Sequence, residues 1–331
     1  MYRRVDANPR ILVTDAGRGC AVAIIRSLGR RGWHVIAADS TPRSPGMCSR
    51  YAAGKLVYPA PDKNPHEFVE AMLATARSHE VDLIVPVTDA TILPLSAARN
   101  QFEPDCKLAI PPAGALDIVN DKLRTIELAQ RLGVPAPRTV LARTAAEAVE
   151  HASQFSWPVV LKPQASSQYY DDRVDKFEVS YAHNLDDLAR KMGEFEGRSV
   201  VLMQEYFGGV GMGVELLMHR GRPVAAFQHQ RLREIPLTGG ASAFRKSVAL
   251  DPVLYDHAVR LLGALDWTGL AMVEFKVADD GARLMEINGQ VWGSLPLAVQ
   301  SGIDFPAALV ELWLSDGHPN DANHRRSQHR C

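Results

Sequence analysis

The sequence predicts a multidomain protein of mixed α/β and α+β class, and two observations carry this prediction. In the first part of the chain, up to about residue 112, short β-branched runs (10–14, 33–38, 81–87) alternate with segments of helical periodicity (21–31, 68–79). This alternation is typical of a doubly wound α/β unit. After residue 157 the strand-like runs become longer and follow one another in hairpin order, which indicates a separate α+β part.

The composition is that of an ordinary globular enzyme and excludes several classes of function. Hydrophobic residues make up 46% and charged residues 23%, and the formal net charge is -1, so we do not expect a nucleic-acid partner. No apolar run approaches the ~18 residues of a membrane span, and the N-terminus has no signal-peptide pattern. The four cysteines are scattered and form no C-x-x-C pair. We therefore expect a cytoplasmic protein with no disulfide framework, zinc site or membrane partner.

A predicted hairpin over residues 272–288 carries the most informative pattern. Its two apolar runs flank Asp279-Asp280-Gly281, and a three-residue loop there places Glu274 directly across from Glu286. Facing like charges are destabilising unless a cation lies between them. Asn288 projects from the same face and adds a neutral oxygen, so the set suits Mg²⁺ that also binds nucleotide phosphates. Residue spacing alone does not distinguish this metal site from an ordinary hairpin with two surface glutamates, so that alternative stays open.

The N-terminal part also contains a weak dinucleotide pattern. Gly17 and Gly19 follow the first strand, and Asp39 ends the second strand, about where a ribose-binding acid would be expected. The third glycine of that pattern is absent, because Val22 stands in its place. A two-glycine turn is also needed simply to start a close-packed helix. An NAD(P)-binding oxidoreductase therefore stays open only as an alternative.

Five motifs occur in one order along the chain: Asn120-Asp121-Lys122, Val159-Val-Leu-Lys162-Pro, Gln204-Glu205-Tyr206, Glu274 and Glu286-Ile-Asn288. Each alone is unspecific, since a lysine after an apolar strand is most often a solvated strand end. In this order they resemble the ATP-grasp superfamily over nearly the whole chain. The segments 230–234, 237–242 and 292–297 are similar to those of carboxylate–amine ligases with an ATP-binding domain like that of the carbamoyl-phosphate synthase large subunit.

The resemblance implies a domain organisation. Residues 1–112 would form a Rossmann-like pre-ATP-grasp domain, followed by a two-subdomain ATP-grasp fold. Its small subdomain with the lid would cover residues 113–198, and its large subdomain with the metal site would cover residues 199–316. The polar tail, residues 317–331, is expected to be disordered. A homodimer is the default expectation for the oligomeric state.

The resemblance also implies a role for each motif. ATP and Mg²⁺, with Mn²⁺ as a substitute, are the expected cofactors. Lys122 and Lys162 would bind phosphates as compact point charges. The adenine would bind at an inter-strand hinge formed by Gln204, Glu205, Tyr206 and Phe207. The metal would be held on one face of the hairpin by Glu274, Glu286 and Asn288. Three arginines are candidates for binding the transferred phosphate or a substrate carboxylate: Arg231, Arg233 and Arg245. The segment Thr238–Ser242 could bring backbone N–H groups close to an anion.

The implied chemistry joins a small-molecule carboxylate to an amine in two steps, through an acyl phosphate formed at the expense of ATP. Thr88 and Asp89, after the third β-branched run, are expected to line the acceptor cleft. Two departures from the family pattern bear on activity. The lid over residues 163–173 lacks glycine, although Ser166 and Ser167 could donate hydrogen bonds. Gln290 stands where many relatives have arginine, so a non-catalytic ATP-binding protein is the remaining alternative.

Overall fold

The fold is taken from a computed structural model, which describes residues 8–315 except 165–166, 170–173, 177–178 and 236–240. Within 165–178 and 235–242, only parts of the backbone are described. The predicted disordered tail, the lid serines and most of the segment Thr238–Ser242 therefore lie outside the described residues or side chains. In the described part of the chain, no helix combines the length and apolarity needed to cross a membrane.

The N-terminal sheet is parallel and has five strands in the order β3-β2-β1-β4-β5. This agrees with the alternation of strand-like and helix-like runs in the sequence. The strands are β1 (Arg10–Val13), β2 (His34–Asp39), β3 (Gly54–Val57), β4 (Leu83–Val85) and β5 (Lys107–Leu108), and the helices are α1 (Gly19–Arg30), α2 (Pro65–Ser78), α3 (Asp89–Ala97) and α4 (Arg99–Phe102). Helix α3 begins beyond the carboxyl end of β4, the edge at which ligands bind in parallel sheets.

A four-stranded antiparallel sheet follows, in the order β10-β7-β11-β6. Its elements and those around it are α5 (Ala113–Val119), α6 (Lys122–Arg131), β6 (Thr139–Ala142), α7 (Ala145–His151), a 3₁₀ helix (Ala152–Gln154), β7 (Val159–Pro163), the pair β8 (Ser167–Tyr169) and β9 (Val174–Lys176), β10 (Ser180–Ala182), α8 (Leu185–Phe195) and β11 (Val201–Glu205). Strand β10 pairs with β7 through residues 180–182.

The largest sheet is antiparallel, with the order β14-β13-β12-β15-β16. It contains β12 (Val210–His219), β13 (Arg222–Ile235), β14 (Ala241–Val248), β15 (Gly269–Ala278) and β16 (Gly281–Asn288), with helices α9 (Pro252–Ala264), α10 (Leu295–Gln300) and α11 (Phe305–Leu314). Strands β12 and β13 form a hairpin around residues 219–222. The strands of this sheet are long and rich in apolar residues, which is why the sequence predicts them as strands in hairpin order.

Apolar packing joins the N-terminal sheet to the largest sheet. One buried cluster includes Ile24 and Leu28 of α1, Phe305 and Leu309 of α11, and Met272 of β15. Ser27 Oγ also donates to Asp304 Oδ1 over 2.5 Å at the start of α11. The contact of these layers determines which residues of the N-terminal part face the ends of the hairpin strands.

The loop of the metal-site hairpin is shorter than the sequence predicted. Ala278 pairs with Gly281, so the loop has two residues, Asp279 and Asp280, and the prediction of a three-residue loop is wrong. Gly281 has a φ of +113°, a conformation that favours glycine. The register then shifts by one residue between Glu274 and Phe275. This bulge compensates for the shorter loop, so the facing pair forms after all.

Candidate functional site

Glu274 and Glu286 face each other across β15 and β16, as the sequence predicted. The side chain of Asn288 connects them, because its Nδ2 donates to Glu274 Oε1 over 3.1 Å and to Glu286 Oε1 over 3.2 Å. Burial and the charge of Glu286 together raise the pKa of Glu274 to about 8. The two carboxylates are thus held together at an electrostatic cost that a cation would remove.

Two glycines on β12 allow side chains of β13 to reach over this strand. A Cβ at Gly211 would lie 2.9 Å from Arg231 Cδ, and a Cβ at Gly213 would lie 2.4 Å from His229 Cε1. Gly213 itself pairs with Glu274 on the other side. Arg231 reaches over β12 at these glycines and forms an ion pair with Glu274. It forms a second ion pair with Glu234 at 3.4 Å. The guanidinium therefore neutralises part of the charge of the facing pair.

Lys122 and Lys162 come from different elements and line the same cavity. Lys122 is the first residue of α6, whose N-cap Asp121 accepts from the backbone N–H of Leu123 over 2.9 Å. The other oxygen of Asp121 accepts from Gln164 Nε2 over 2.7 Å, just beyond the strand that carries Lys162. Burial lowers the pKa of both lysines, that of Lys162 to about 8. One aspartate thus both starts the helix and holds the two lysines near each other.

The cavity has a volume of about 160 Å³ and lies between the N-terminal sheet and the two antiparallel sheets. Its polar lining combines cationic, anionic and amide side chains: Lys122, Lys162, Asp89, Glu286, Asn120, Gln204, Asn288 and Gln290. Its apolar lining includes Val119, Ile126, Leu202 and Ile287. A charged end beside an apolar wall is the chemistry that a nucleotide requires, with phosphates at one end and a base at the other.

The predicted hinge residues lie at the end of β11 and directly after it, and Gln204 lines the cavity. Gln204 is buried and donates from Nε2 to Thr139 Oγ1 over 3.0 Å. Glu205 bonds to the backbone of Arg138, donating from its N–H over 2.9 Å and accepting at Oε2 over 3.3 Å. The rings of Tyr206 and Phe207 lie against the charged ends of Lys276 and Arg283, at 5.6 Å and 4.9 Å from the ring centroids. The segment is therefore anchored to neighbouring strands.

The three candidate arginines have different surroundings. Arg231 contacts Glu274, whereas Arg245 lies opposite Arg231 in the register of β13 and β14. Burial, followed by the charge of Arg231, lowers the pKa of Arg245. Arg233 is exposed and lies opposite Phe244 beyond a register shift. The structure thus brings Arg231 to the facing glutamates and leaves Arg233 at the solvent side.

A buried polar cluster behind the facing pair was missed by the sequence reasoning. Glu215 Oε1 lies 3.0 Å from His229 Nδ1 and accepts a hydrogen bond from Ser294 Oγ. All three side chains are buried. Ser294 belongs to the loop that carries Gln290, so Glu215 fixes this loop to the sheet. The alternation of β12 could have signalled it, because Glu215 interrupts an otherwise apolar run.

Asp39 does not have the environment of a dinucleotide-binding acid. Its Oδ2 accepts from the backbone N–H of Gly17 over 2.6 Å, and its Oδ1 accepts from the backbone and hydroxyl of Thr41, both over 2.9 Å. Gly46 packs against the same turn, where its N–H donates to Ala16 over 2.8 Å. Both oxygens of Asp39 therefore serve to close the turn. This geometry does not support the oxidoreductase alternative, which stays a prediction to be tested by NAD(P) binding.

The donor set at the hairpin fits a hard divalent cation. Two carboxylates and one amide are all-oxygen ligands, the kind that Mg²⁺ or Mn²⁺ prefers. No cluster of three His, Cys, Asp or Glu side chains that could hold a metal occurs in the described residues. A set of three protein ligands leaves room for phosphate oxygens on the same ion.

Comparison with known proteins identifies this arrangement. Residues 198–330 match the family model described as "ATP-grasp in the biosynthetic pathway with Ter operon". This match assigns residues 198–330 to the ATP-grasp superfamily. It is 24% identical over 310 residues to the carbamoyl phosphate synthase large chain of Deinococcus radiodurans, covering 89% of this chain and 28% of that one. It is 33% identical over 158 residues to the formate-dependent phosphoribosylglycinamide formyltransferase of Parasynechococcus marenigrum, covering 47% of this chain and 37% of that one.

A solved structure shares the fold of this chain. The biotin carboxylase–β,γ-ATP complex from Campylobacter jejuni superposes with a TM-score of 0.71 at 19% identity, covering 95% of this chain and 72% of that one. The chain spans 28% and 37% of the lengths of the two sequence relatives. The arrangement of sheets is therefore shared with that structure, whereas substrates must be argued from the residues of this site.

Proposed function

We propose that this chain is an ADP-forming ligase that activates a small-molecule carboxylate with ATP and joins it to an amine. The observation that carries the proposal is the facing pair Glu274 and Glu286, connected by Asn288 beside a cavity lined by two lysines. We further propose that the part before residue 113 is a pre-ATP-grasp domain, and that residues 113–198 and 199–316 are the small and large subdomains.

The roles follow from charge and position. Lys122 and Lys162 bind nucleotide phosphates, and the segment 204–207 holds the base, with the apolar wall of the cavity beneath it. Glu274, Glu286 and Asn288 would hold Mg²⁺ or Mn²⁺, which would neutralise negative charge of the nucleotide phosphates. Arg231, which pairs with Glu274 in this structure, would be available to bind a substrate carboxylate or phosphate if a metal held that glutamate.

The reaction balances in two steps. A carboxylate oxygen attacks the γ-phosphorus of ATP, the bond to the β-phosphate oxygen breaks, and ADP and an acyl phosphate form. The amine nitrogen then attacks the acyl carbon, and the acyl carbon–oxygen bond breaks with its electron pair leaving on phosphate. One proton of the ammonium ends on phosphate and one is released, so the products are an amide, ADP, hydrogen phosphate and a proton. The site contributes alignment, charge neutralisation and exclusion of water.

A hydroxylamine trap tests the proposal. The protein is incubated with Mg-ATP, hydroxylamine and pooled carboxylic acids that include amino acids, and hydroxamate and ADP are measured. Hydroxylamine replaces the unknown amine, so only the acid must be supplied. We expect hydroxamate with the wild type and with the control Asp279→Asn, an exposed acid of the same hairpin, and none with Glu286→Gln.

The competing function, a non-catalytic nucleotide-binding protein, is motivated by Gln290. Its side-chain oxygen accepts from the backbone N–H of Asp89 over 3.3 Å, so this residue links two parts of the chain and carries no charge to the reaction. Nucleotide binding without hydroxamate or ADP from any acid would favour that function over the ligase.

A further inference from the structure

Asp89 is the acidic side chain that the N-terminal part contributes to the cavity lining. It is the first residue of α3, and the start of this helix is fixed from two sides. Asp15 Oδ2 accepts from the backbone N–H of Thr88 over 3.1 Å and from Thr91 Oγ1 over 2.8 Å. On the other side, Gln290 accepts from the Asp89 N–H, and Val291 N–H donates to Val87 over 3.2 Å. The carboxylate is therefore presented by a rigid frame.

The charges in the cavity do not balance once a metal–nucleotide complex is bound. In the proposed function, Glu286 binds the metal, and Lys122 and Lys162 bind phosphates. Asp89 is then left without a cation, although in this structure it lies in the field of Lys122. Burial, followed by the charge of Glu286, already raises the pKa of Asp89 to about 6. Burying an unpaired carboxylate in this cavity costs free energy, so we expect a bound ligand to supply a positive group next to Asp89.

We propose that Asp89 binds the ammonium group of the amine substrate, and that this substrate is a primary amine which is cationic in solution. The inference rests on the proposed function and deepens it. The carboxylate lies in the same cavity as Glu286, so an ammonium at Asp89 is brought to the compartment in which the acyl phosphate forms. Gln290 is adjacent, and its amide nitrogen is the end of that side chain available to donate toward the acyl or phosphate oxygens.

A ligand at Asp89 could instead be the metal itself, because a carboxylate is also a ligand for Mg²⁺. An ammonium-binding role and a metal-binding role for Asp89 predict different effects on the reaction. An ammonium site selects among amines after the acid has been activated, whereas a metal ligand would affect every reaction of Mg-ATP equally. The ratio of amine-dependent to hydroxylamine-dependent ADP release separates them.

The experiment measures this ratio with pooled primary amines, namely amino acids, amino-acid amides and diamines, added to the hydroxamate assay. Hydroxylamine is uncharged at neutral pH and does not need an ammonium site. We expect Asp89→Asn to lower the ratio at least tenfold, and the control Asp62→Asn, an exposed acid of the same part of the chain, to leave it within a factor of two. An unchanged ratio in Asp89→Asn, including an equal loss of both reactions, would overturn the assignment.

A binding measurement keeps the inference testable if no acid in the pool is accepted. The protein is loaded with Mg²⁺ and a non-hydrolysable ATP analogue, and each amine is compared with its neutral alcohol or amide counterpart by thermal shift. At least one amine should stabilise the wild type and not Asp89→Asn. If no amine exceeds its neutral counterpart in the wild type, the assignment is wrong. Failure to bind the analogue at all would instead refute the proposed function.

Discussion

The side chain of Gln164 donates to Asp121 over 2.7 Å, and this bond joins the start of α6 to the end of β7. Lys122 follows Asp121 directly, and Lys162 lies two residues before Gln164. The backbone N–H of Lys122 also donates to the Gln164 carbonyl over 3.1 Å. The side chain of Asp121 and both ends of Gln164 therefore tie together the two segments that carry the cationic side chains.

Asp121→Ala should weaken nucleotide binding several-fold and destabilise the protein. The variant loses the N-cap of α6, which contributes about 1 kcal/mol, and frees the two lysines to separate under their mutual repulsion. Denaturant unfolding and titration with an ATP analogue measure the two effects. The control is Asp117→Ala, an exposed acid of α5. Unchanged nucleotide affinity in Asp121→Ala would show that the tether does not control the lysines.

Gly213→Ala should lower the free energy of unfolding by about 1–3 kcal/mol, because the new methyl group collides with the imidazole of His229. The loss in the double variant Gly213→Ala/His229→Ala should be smaller than the sum of the two single losses, since the collision partner is removed. Gly208→Ala is the matched control, because its Cβ would meet nothing nearer than 3.8 Å. Additive losses in the double variant would contradict the close approach of His229 and Gly213.

Arg231→Gln should destabilise the metal-free protein by about 3 kcal/mol, because it leaves the buried Glu274 without its cation. Mg²⁺ with an ATP analogue should then raise the melting temperature more in this variant than in the wild type, since the metal supplies the missing charge. Arg283→Gln, which loses only a pair with exposed Asp280, is the control. An equal melting-temperature increase in both proteins would mean that Arg231 does not compensate for the absent metal.

Asp39→Ala should destabilise the protein by about 2 kcal/mol through loss of the hydrogen bonds to Gly17 and Thr41. It should leave the affinity for the Mg-nucleotide analogue unchanged, because its oxygens face the turn and do not line the cavity. Chemical denaturation and calorimetric titration test both statements. Binding of NAD or NADP that depends on Asp39 would revive the oxidoreductase interpretation.

Local patterns were sufficient to predict the parts of the site that depend on strand periodicity. The pairing of Glu274 with Glu286 follows from a period of two along a hairpin, and Lys122 at a helix start follows from its preceding Asp-type cap. The loop length was wrong by one residue, and only the compensating bulge preserved the register. A bulge of this kind has no signature in the apolar pattern of the two strands.

Contacts between distant segments could not be predicted in the same way. The approach of Arg231 to Glu274 depends on the order β13-β12-β15 and on a glycine at each of two positions between them. The position of Asp89 in the cavity depends on how the N-terminal sheet packs against the largest sheet. Spacing in the sequence suggested that Asp89 lines the cleft, but its position relative to Lys122 and Glu286 is a property of tertiary packing.

The metal dependence of nucleotide binding tests the central claim most directly. Calorimetric titration of a non-hydrolysable ATP analogue would be carried out with Mg²⁺ and with a chelator, on the wild type, Glu286→Gln and the control Asp279→Asn. We expect the wild type and the control to bind at least tenfold more tightly with Mg²⁺, and Glu286→Gln to lose this advantage. Equal affinity of the wild type with and without Mg²⁺, or full Mg²⁺ dependence in Glu286→Gln, would contradict a metal–nucleotide site at the Glu274–Glu286 pair.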